Sequence, residues 1–588
     1  MKQNVEKNLL KKQNEKTYEY PDKVAGVLLK EASVCNSEFL QDTAEGSLGK
    51  HREGIIRRCS TETVTMKAIV TLFFLSLIPI LYVGTYTFPT GDDFWYGKLI
   101  VKAWREQHSI FACIGAAFTT IKEFYYTWQG TWYSIFLFCF NPEMFVEGGY
   151  KIVPVLAIGL LGGGFFLVMY QSMVKILKLS KEVLWVCFCV LLFQMLQYMP
   201  RTTSGIYWFN GVMHYNANTF TAMVAIGMMI LYLREGKKYA YILVLVSMFL
   251  IGGGNYQAAL MPLLFWGFLV LGTFFYVEKR TTLKDRISHM IRAKRVWLLG
   301  VGVLLELPGV AISGLAPGNS LRSEEYEVSL KWALQSVYYS IDRGIYLVRD
   351  DFYAKYPAML LFIVMLAVFL WFAMWKVQDK ITFRFPVPVI FVLYMCGIYW
   401  AMYTPGIFSK ADVSGGVPDT IQQIFLLTSL ANVIYVIGYV QRVLREHVRE
   451  EKLKTAWWGP GSDDSKVVGE VIMLAATAGM IFAGILGYHQ STDKLCMELV
   501  ESGHAKVYKM VREEQLRILK DPTIKDARIP EFMDGGDYYY PICHLQANGD
   551  PSFQLNYDLS VYYGKESVIA YDFREWFEEE GCMNLLEE

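Results

Sequence analysis

The sequence predicts an all-α polytopic membrane protein of about eleven transmembrane helices. Three observations carry this. Only 19% of the residues are charged and 53% are hydrophobic, whereas soluble domains carry roughly a quarter charged residues. The apolar residues gather in blocks of about 18 to 22, long enough at about 1.5 Å per residue to cross a hydrocarbon core. The strongly basic loops, finally, recur on every second connection, as the positive-inside rule requires.

The expected spans are 67–87, 152–173, 183–199, 211–233, 239–253, 257–277, 296–315, 357–375, 386–403, 421–440 and 467–488. Lys175, Lys178 and Lys181 follow the second, Arg234, Lys237 and Lys238 the fourth, and a run from Lys279 to Arg295 the sixth. Lys376, Lys380 and Arg384 follow the eighth, and the run Arg442 to Lys454 follows the tenth. An odd number of spans then puts the N-terminus in the cytoplasm and the C-terminus outside a bacterial cytoplasmic membrane. Residues 1–65 are polar and lysine-rich and are expected to form a disordered cytoplasmic tail. Met66, directly before the first apolar run, is an alternative start. The transmembrane domain is expected over 66–488 and a small mixed α/β extracytoplasmic domain over 489–588.

The first outer loop, about Phe88 to Lys151, holds two apolar stretches too short to span, Ile110–Phe118 and Trp132–Phe140; these read as helices lying in the membrane interface. The fifth span breaks at Gly252-Gly253-Gly254-Asn255, a re-entrant or kinked turn tolerated only against other protein. After His489 an amphipathic helix (Leu495–Leu519) precedes β-like runs at Ser560–Tyr563 and Val568–Tyr571. The ten cysteines form no CxxC pair; Cys113, Cys139, Cys496, Cys543 and Cys582 leave room for one or two disulfides on the outer side. A formal net charge of zero argues against a nucleic-acid partner, which would need a basic face.

Groups able to do chemistry gather on the outer side. Thr90-Gly91-Asp92-Asp93-Phe94-Trp95 places two adjacent carboxylates just past the first span. Like charges close to lipid raise at least one pKa, which suits a general base or a cation ligand; an idle, solvated turn is the plain alternative. Trp128, Gln129 and Trp132 offer a stacking platform for a sugar or prenyl chain, or an ordinary interfacial belt. Trp208, His214 and Tyr215 follow the third span, Asn255 and Gln257 lie at the broken fifth, and Asn319 and Arg322 begin the next outer loop. An arginine there suits a phosphate, and a rim salt bridge is its simpler role.

With these residues in place, the chain resembles the GT-C superfamily of polytopic glycosyltransferases and, more closely, an uncharacterised family of bacterial membrane proteins allied to it. The resemblance rests on Asp92-Asp93-Phe94, on Tyr207-Trp208 with Gly211 and Tyr215, and on Pro317-Gly318-Asn319 with Arg322, and covers most of 66–440. Where the allied family often has an acid at the broken fifth span, this chain has Asn255-Tyr256-Gln257. The resemblance implies inverting transfer of a sugar from a polyprenyl-phosphate donor to a cell-envelope glycan, lipid or protein acceptor on the outer face. Asp92 or Asp93 would deprotonate the acceptor, Arg322 or a nearby arginine would hold the phosphate, and the acids would sit in a wet pocket. A divalent cation is compatible with this, although no ligand set for one is evident. Two other classes stay open: a transporter or flippase of lipid-linked saccharides, with Glu306 as its embedded carboxylate, and a non-enzymatic envelope-binding protein.

Overall fold

In the computed structural model, residues 60–276, 282–322, 329–410, 415–447, 463–532, 537, 539–572 and 574–576 are described. Every one of the eleven apolar stretches is helical, because unbroken apolar runs leave the backbone no partner but itself. Among the described residues eight helices are long and apolar enough to cross a membrane: Thr61–Gly84, Gly149–Ile176, Phe209–Glu235, Tyr256–Phe275, Lys294–Gly314, Pro357–Lys380, Val417–His447 and Lys466–Leu486. The expected count of eleven is not reached by that measure. Lys238–Ile251 and Pro388–Ala401 have 14 residues each, about 21 Å of helix against a core of about 30 Å. The expected third span is Lys181–Gln197, 17 residues with most of its side chains buried inside the bundle. The chain has the make-up of a multi-pass membrane protein.

The expected tail, residues 1–65, lies outside the described residues as far as residue 59, and the first helix already starts at Thr61. The first long loop, expected on the outer side, is mostly helical: Asp92–Gln107, Ile110–Thr127 and Trp132–Phe138. The middle helix runs well beyond the expected Phe118, capped by Ser109, and turns Phe111 and Phe118 outward.

The glycine break after Lys238–Ile251 is present, and its cause is a knot of close backbone. A Cβ on Gly253 would lie 1.9 Å from the Trp132 ring, and Tyr133 N donates to Gly253 O. Asn255 restarts the chain as a helix by accepting from Gln257 N and Ala258 N. The same knot takes in the Pro317-Gly318-Asn319 turn. Asn319 donates to the carbonyls of Ser313 and Gly314, Gly130 N donates to Asn319 Oδ1, and a Cβ on Gly318 would sit 2.3 Å from Trp128 N.

The C-terminal segment departs from its expected form. The amphipathic helix is two helices, Thr492–Glu501 and His504–Lys520, separated where Gly503 takes a positive φ. Ser560–Tyr563, read as strand, ends the helix Gln554–Tyr563; Leu555, Leu559 and Tyr562 face inward at helical spacing, which a four-residue run does not reveal. Among the described residues only β1 (Asp526–Pro530) and β2 (Ser567–Tyr571) pair, in parallel. Residues 61–588 form one unit, with the C-terminal segment packed on the first outer loop. Phe94 and Tyr562 meet edge to face, and Lys98 and Asp558 form a buried ion pair at 2.8 Å. Cys113, Cys139, Cys496 and Cys543 are buried free thiols, so none of these four is bridged; Cys582 lies outside the described residues.

Gly130 tests the knot. A Cβ there would fall 2.1 Å from Ser313 O, a backbone atom that cannot swing away, whereas a Cβ on Gly159 meets nothing within 4 Å. Gly130→Ala should lower thermal stability in detergent by on the order of 1–3 kcal/mol and Gly159→Ala should not. Equal effects would show that the loop and the Ser313 turn are not in contact.

Candidate functional site

The two neighbouring acids have opposite surroundings. Both occupy the first turn of Asp92–Gln107, where the positive end of the helix favours carboxylates. Asp93 is 0% exposed. Its Oδ2 accepts from Thr90 N at 3.0 Å and from the Tyr150 hydroxyl at 2.5 Å, and its Oδ1 accepts from Asn210 N at 3.3 Å. The Tyr150 oxygen in turn accepts from Phe209 N at 2.9 Å. One carboxylate therefore ties together the end of the first span, the Tyr150 turn and the Phe209–Asn210 segment. Burial pushes the Asp93 carboxyl up to about 7, its three hydrogen bonds pull the other way, and the charge of Asp92 adds to the rise. Asp92, one residue earlier, is half-buried and reaches the surface.

The start of that helix is covered by a strap from the C-terminal segment. Gly91 N donates to Leu545 O at 2.9 Å, and His544 N and Gln546 Nε2 both donate to Thr90 Oγ1. Gly91 has φ +54°, and a Cβ there would lie 2.9 Å from His544 Nδ1. The His544 ring stacks on Trp208 with centroids 4.3 Å apart and planes 10° from parallel. His544 thus stands between Gly91, the residue before Asp92, and the Trp208 ring. Behind them, Trp208 Nε1 and both polar side-chain atoms of Asn210 are buried without a hydrogen-bond partner, a rare condition in folded proteins.

The remaining sequence candidates fall into three groups. Trp95 and Trp128 belong to an aromatic cluster, their rings 5.4 Å apart, and Gln129 Nε2 donates to the Tyr96 hydroxyl within it. Trp132, Asn255 and Asn319 make up the glycine knot, with Gln257 buried in the first turn beyond it. His214 packs its ring on Phe138 and Tyr215, and Tyr215 lies against Gly415 and Gly416. Arg322 ends the helix Pro317–Arg322, and its side chain lies outside the described residues.

Two cavities, of about 310 and about 240 Å³, lie elsewhere. The first is lined by Arg105, Glu143, Lys520 and Tyr562, and the second by Gln197, Thr202, His489 and Tyr540; neither includes Asp92 or Asp93. The wet pocket expected beneath the acids is therefore not one of these. Among the described residues no group of three or more His, Cys, Asp or Glu side chains is placed to hold a metal ion. Sequence reasoning missed His544 because nothing local in Cys543-His544-Leu545-Gln546 marks it: its partners stand more than three hundred residues earlier in the chain. Asn210 was legible only as a polar residue among aromatics.

Scanned against protein-family models the chain matches none, and a search of curated proteins returns no match.

The buried carboxyl gives a signed expectation. Its folded-state pKa lies above the ordinary 3.8, so the folded chain holds a proton that the unfolded chain loses between pH 4 and about 7. Stability should fall across that window by on the order of a few kcal/mol and level off above it. Thermal unfolding of Asp93→Asn in detergent at pH 5 and pH 8 should show a smaller difference than wild type. An unchanged difference would mean that Asp93 is not the buried acid described.

Proposed function

We propose that the chain is an inverting glycosyltransferase that uses a polyprenyl-phosphate sugar on the outer face of the membrane, with Asp92 as the general base. The observation that supports this most is the division of labour between the acids. Asp93 has both oxygens engaged and is sealed from any acceptor, so it is a positioning residue. Asp92 shares its helix turn, reaches solvent, and follows Gly91, against which lies the exposed His544 imidazole stacked on Trp208.

In this reading Asp92 removes the acceptor hydroxyl proton as the oxygen attacks the anomeric carbon. The bond from that carbon to the lipid phosphate breaks, and the phosphate leaves with the electron pair, needing no strong acid. Trp208 supplies an apolar face of the kind that packs against a sugar ring, and His544 stacked on it fixes the edge of the site. The outward aromatics of Ile110–Thr127 give a lipid-borne donor a surface to approach along. The basic loops set the outer face on the side of Asp92. Arg322 remains the candidate for the donor phosphate, and no cofactor is required by the step.

A second reading, a flippase of lipid-linked saccharides, is favoured by Glu306. It is 0% exposed within the helix Lys294–Gly314, and neither carboxylate oxygen has a hydrogen-bond partner.

Asp92→Asn should reduce sugar transfer from a polyprenyl-phosphate donor in proteoliposomes by about 10²–10⁴-fold with thermal stability kept, and His544→Ala should weaken it less. Full activity in Asp92→Asn would end the base assignment. Donor flipping by a wild-type chain that transfers no sugar, lost in Glu306→Gln, would support the flippase instead.

A further inference from the structure

Five oxygen atoms on two neighbouring pieces of chain are buried without a hydrogen-bond partner, Asp419 Oδ2, Asn216 Oδ1, Thr420 Oγ1, Gln423 Oε1 and Thr203 Oγ1, and so is Gln423 Nε2. Asp419, Asn216, Thr420 and Gln423 are 0% exposed. Buried polar atoms are satisfied in all but a few cases, and a group of them calls for a bound water or ion.

The atoms come from two pieces of chain that meet at Gly205. Arg201 N donates to Asp419 Oδ1 at 2.7 Å, and Asp419 Oδ2 lies 3.0 Å from where a Cβ on Gly205 would stand. Asn216 Nδ2 donates to Gly205 O at 2.7 Å, which turns the amide oxygen of Asn216 away from that bond. The two pieces are also locked by Gly415 and Gly416, whose Cβ positions would overlap the Tyr215 ring. Thr203 and Asn216 lie on π-helical turns, Thr203–Tyr207 and Val212–Ala217, a departure from regular helix common at functional sites. Asp419, Thr420 and Gln423 occupy the first two turns of Val417–His447, with Asp419 and Gln423 four residues apart on one face.

Helix capping does not account for the acid. Asp419 N and Thr420 N both donate to Gly416 O, so the carboxylate is not satisfying its own helix end. Nor does a salt bridge: Arg201 gives Asp419 its backbone N–H, and its exposed guanidinium acts on the acid only through its charge, with no ion pair to Asp419 formed among the described residues. Tyr540, which bonds Thr202, is the other titratable side chain facing this region.

The donor set is one carboxylate and neutral amide and hydroxyl oxygens. Soft metals prefer sulfur and imidazole, and sites for divalent hard cations usually gather several carboxylates. We propose that Asp419, Asn216 and Thr420, completed by Gln423 and Thr203, form a binding site for a monovalent alkali cation. One negative charge then faces one positive charge, and every neutral oxygen has a use. Irregular helix segments whose oxygens meet an embedded acid are a recurring way of holding such ions within membranes. The cavity of about 240 Å³ that Met199, Thr202 and Tyr540 line flanks the site and offers an approach from the side of the C-terminal helices. Asp92 and Asp93 take no part, so the transfer assay above leaves this proposal untouched.

The test uses the full chain purified in detergent, with sodium as the probe. Thermal unfolding is measured in NaCl, KCl and choline chloride at equal ionic strength, and ²²Na⁺ binding by scintillation proximity. Wild type should bind sodium saturably and gain stability with its concentration as mass action requires. Asp419→Asn and Asn216→Ala should each weaken that binding at least tenfold and lose the sodium-dependent rise in unfolding temperature, each variant being compared with its own value in choline. Should Asp419→Asn fail to fold, Asn216→Ala and Thr420→Val carry the test, with the same loss expected. The absence of saturable alkali binding in wild type, or undiminished binding in these variants, would overturn the site. So would stability that follows pH but no alkali ion, since Asp419 would then hold a proton.

Discussion

The end of the helical bundle around the first long loop depends on hiding one carboxylate. Asp93 stands where the first span ends, where the Tyr150 turn arrives and where the chain restarts as helix at Phe209, and its two oxygens are the common partner of all three. A charge so placed would be costly unless every lone pair were used or a proton taken up, and here both remedies operate in part. The cost is accepted at one position because the neighbouring residue gains from it. With Asp93 fixing the first turn, Asp92 is held half-buried at the start of the same helix, where the helix terminus favours a carboxylate.

The C-terminal segment completes this arrangement. Its strap at 543–546 bonds Thr90 and Gly91, its helix Gln554–Tyr563 buries Phe94, and Asp558 neutralises Lys98 out of contact with water. Arg512 donates to Pro89 O from the same segment, fully buried. These contacts explain why a stretch that reads as a separate appendage belongs to the same unit as the spans.

Much of the architecture was legible because lipid imposes simple rules. Long apolar runs must be helices, and the interruption at Gly252–Asn255 could be read because glycines at that depth need protein against them. The helix lengths were less legible: Lys238–Ile251 and Pro388–Ala401 end where a glycine turn or a proline sets the boundary, short of what hydropathy blocks suggest. The site was half legible. Two acids beside the first span stood out, yet which one is buried depends on Tyr150 and Asn210, which no local pattern links to them. Trp132, Asn255, Asn319 and Gly318 stood out for the same reason that functional residues do, being polar or small among aromatics, and they serve as the knot that holds the first loop to the fifth and seventh expected spans. His544 and Asp419 carry no sequence signal at all; only the fold brings them to Trp208 and Asn216.

The central claim is that adjacent acids of identical chemistry are divided into a sealed one and an open one. Carbodiimide-driven coupling of a small amine to accessible carboxyls, read by mass spectrometry of peptides spanning residues 88–105, measures this directly on the native protein in detergent. The account predicts modification at Asp92 and protection of Asp93 until the chain is unfolded. Equal labelling of the two, or protection of Asp92, would contradict it.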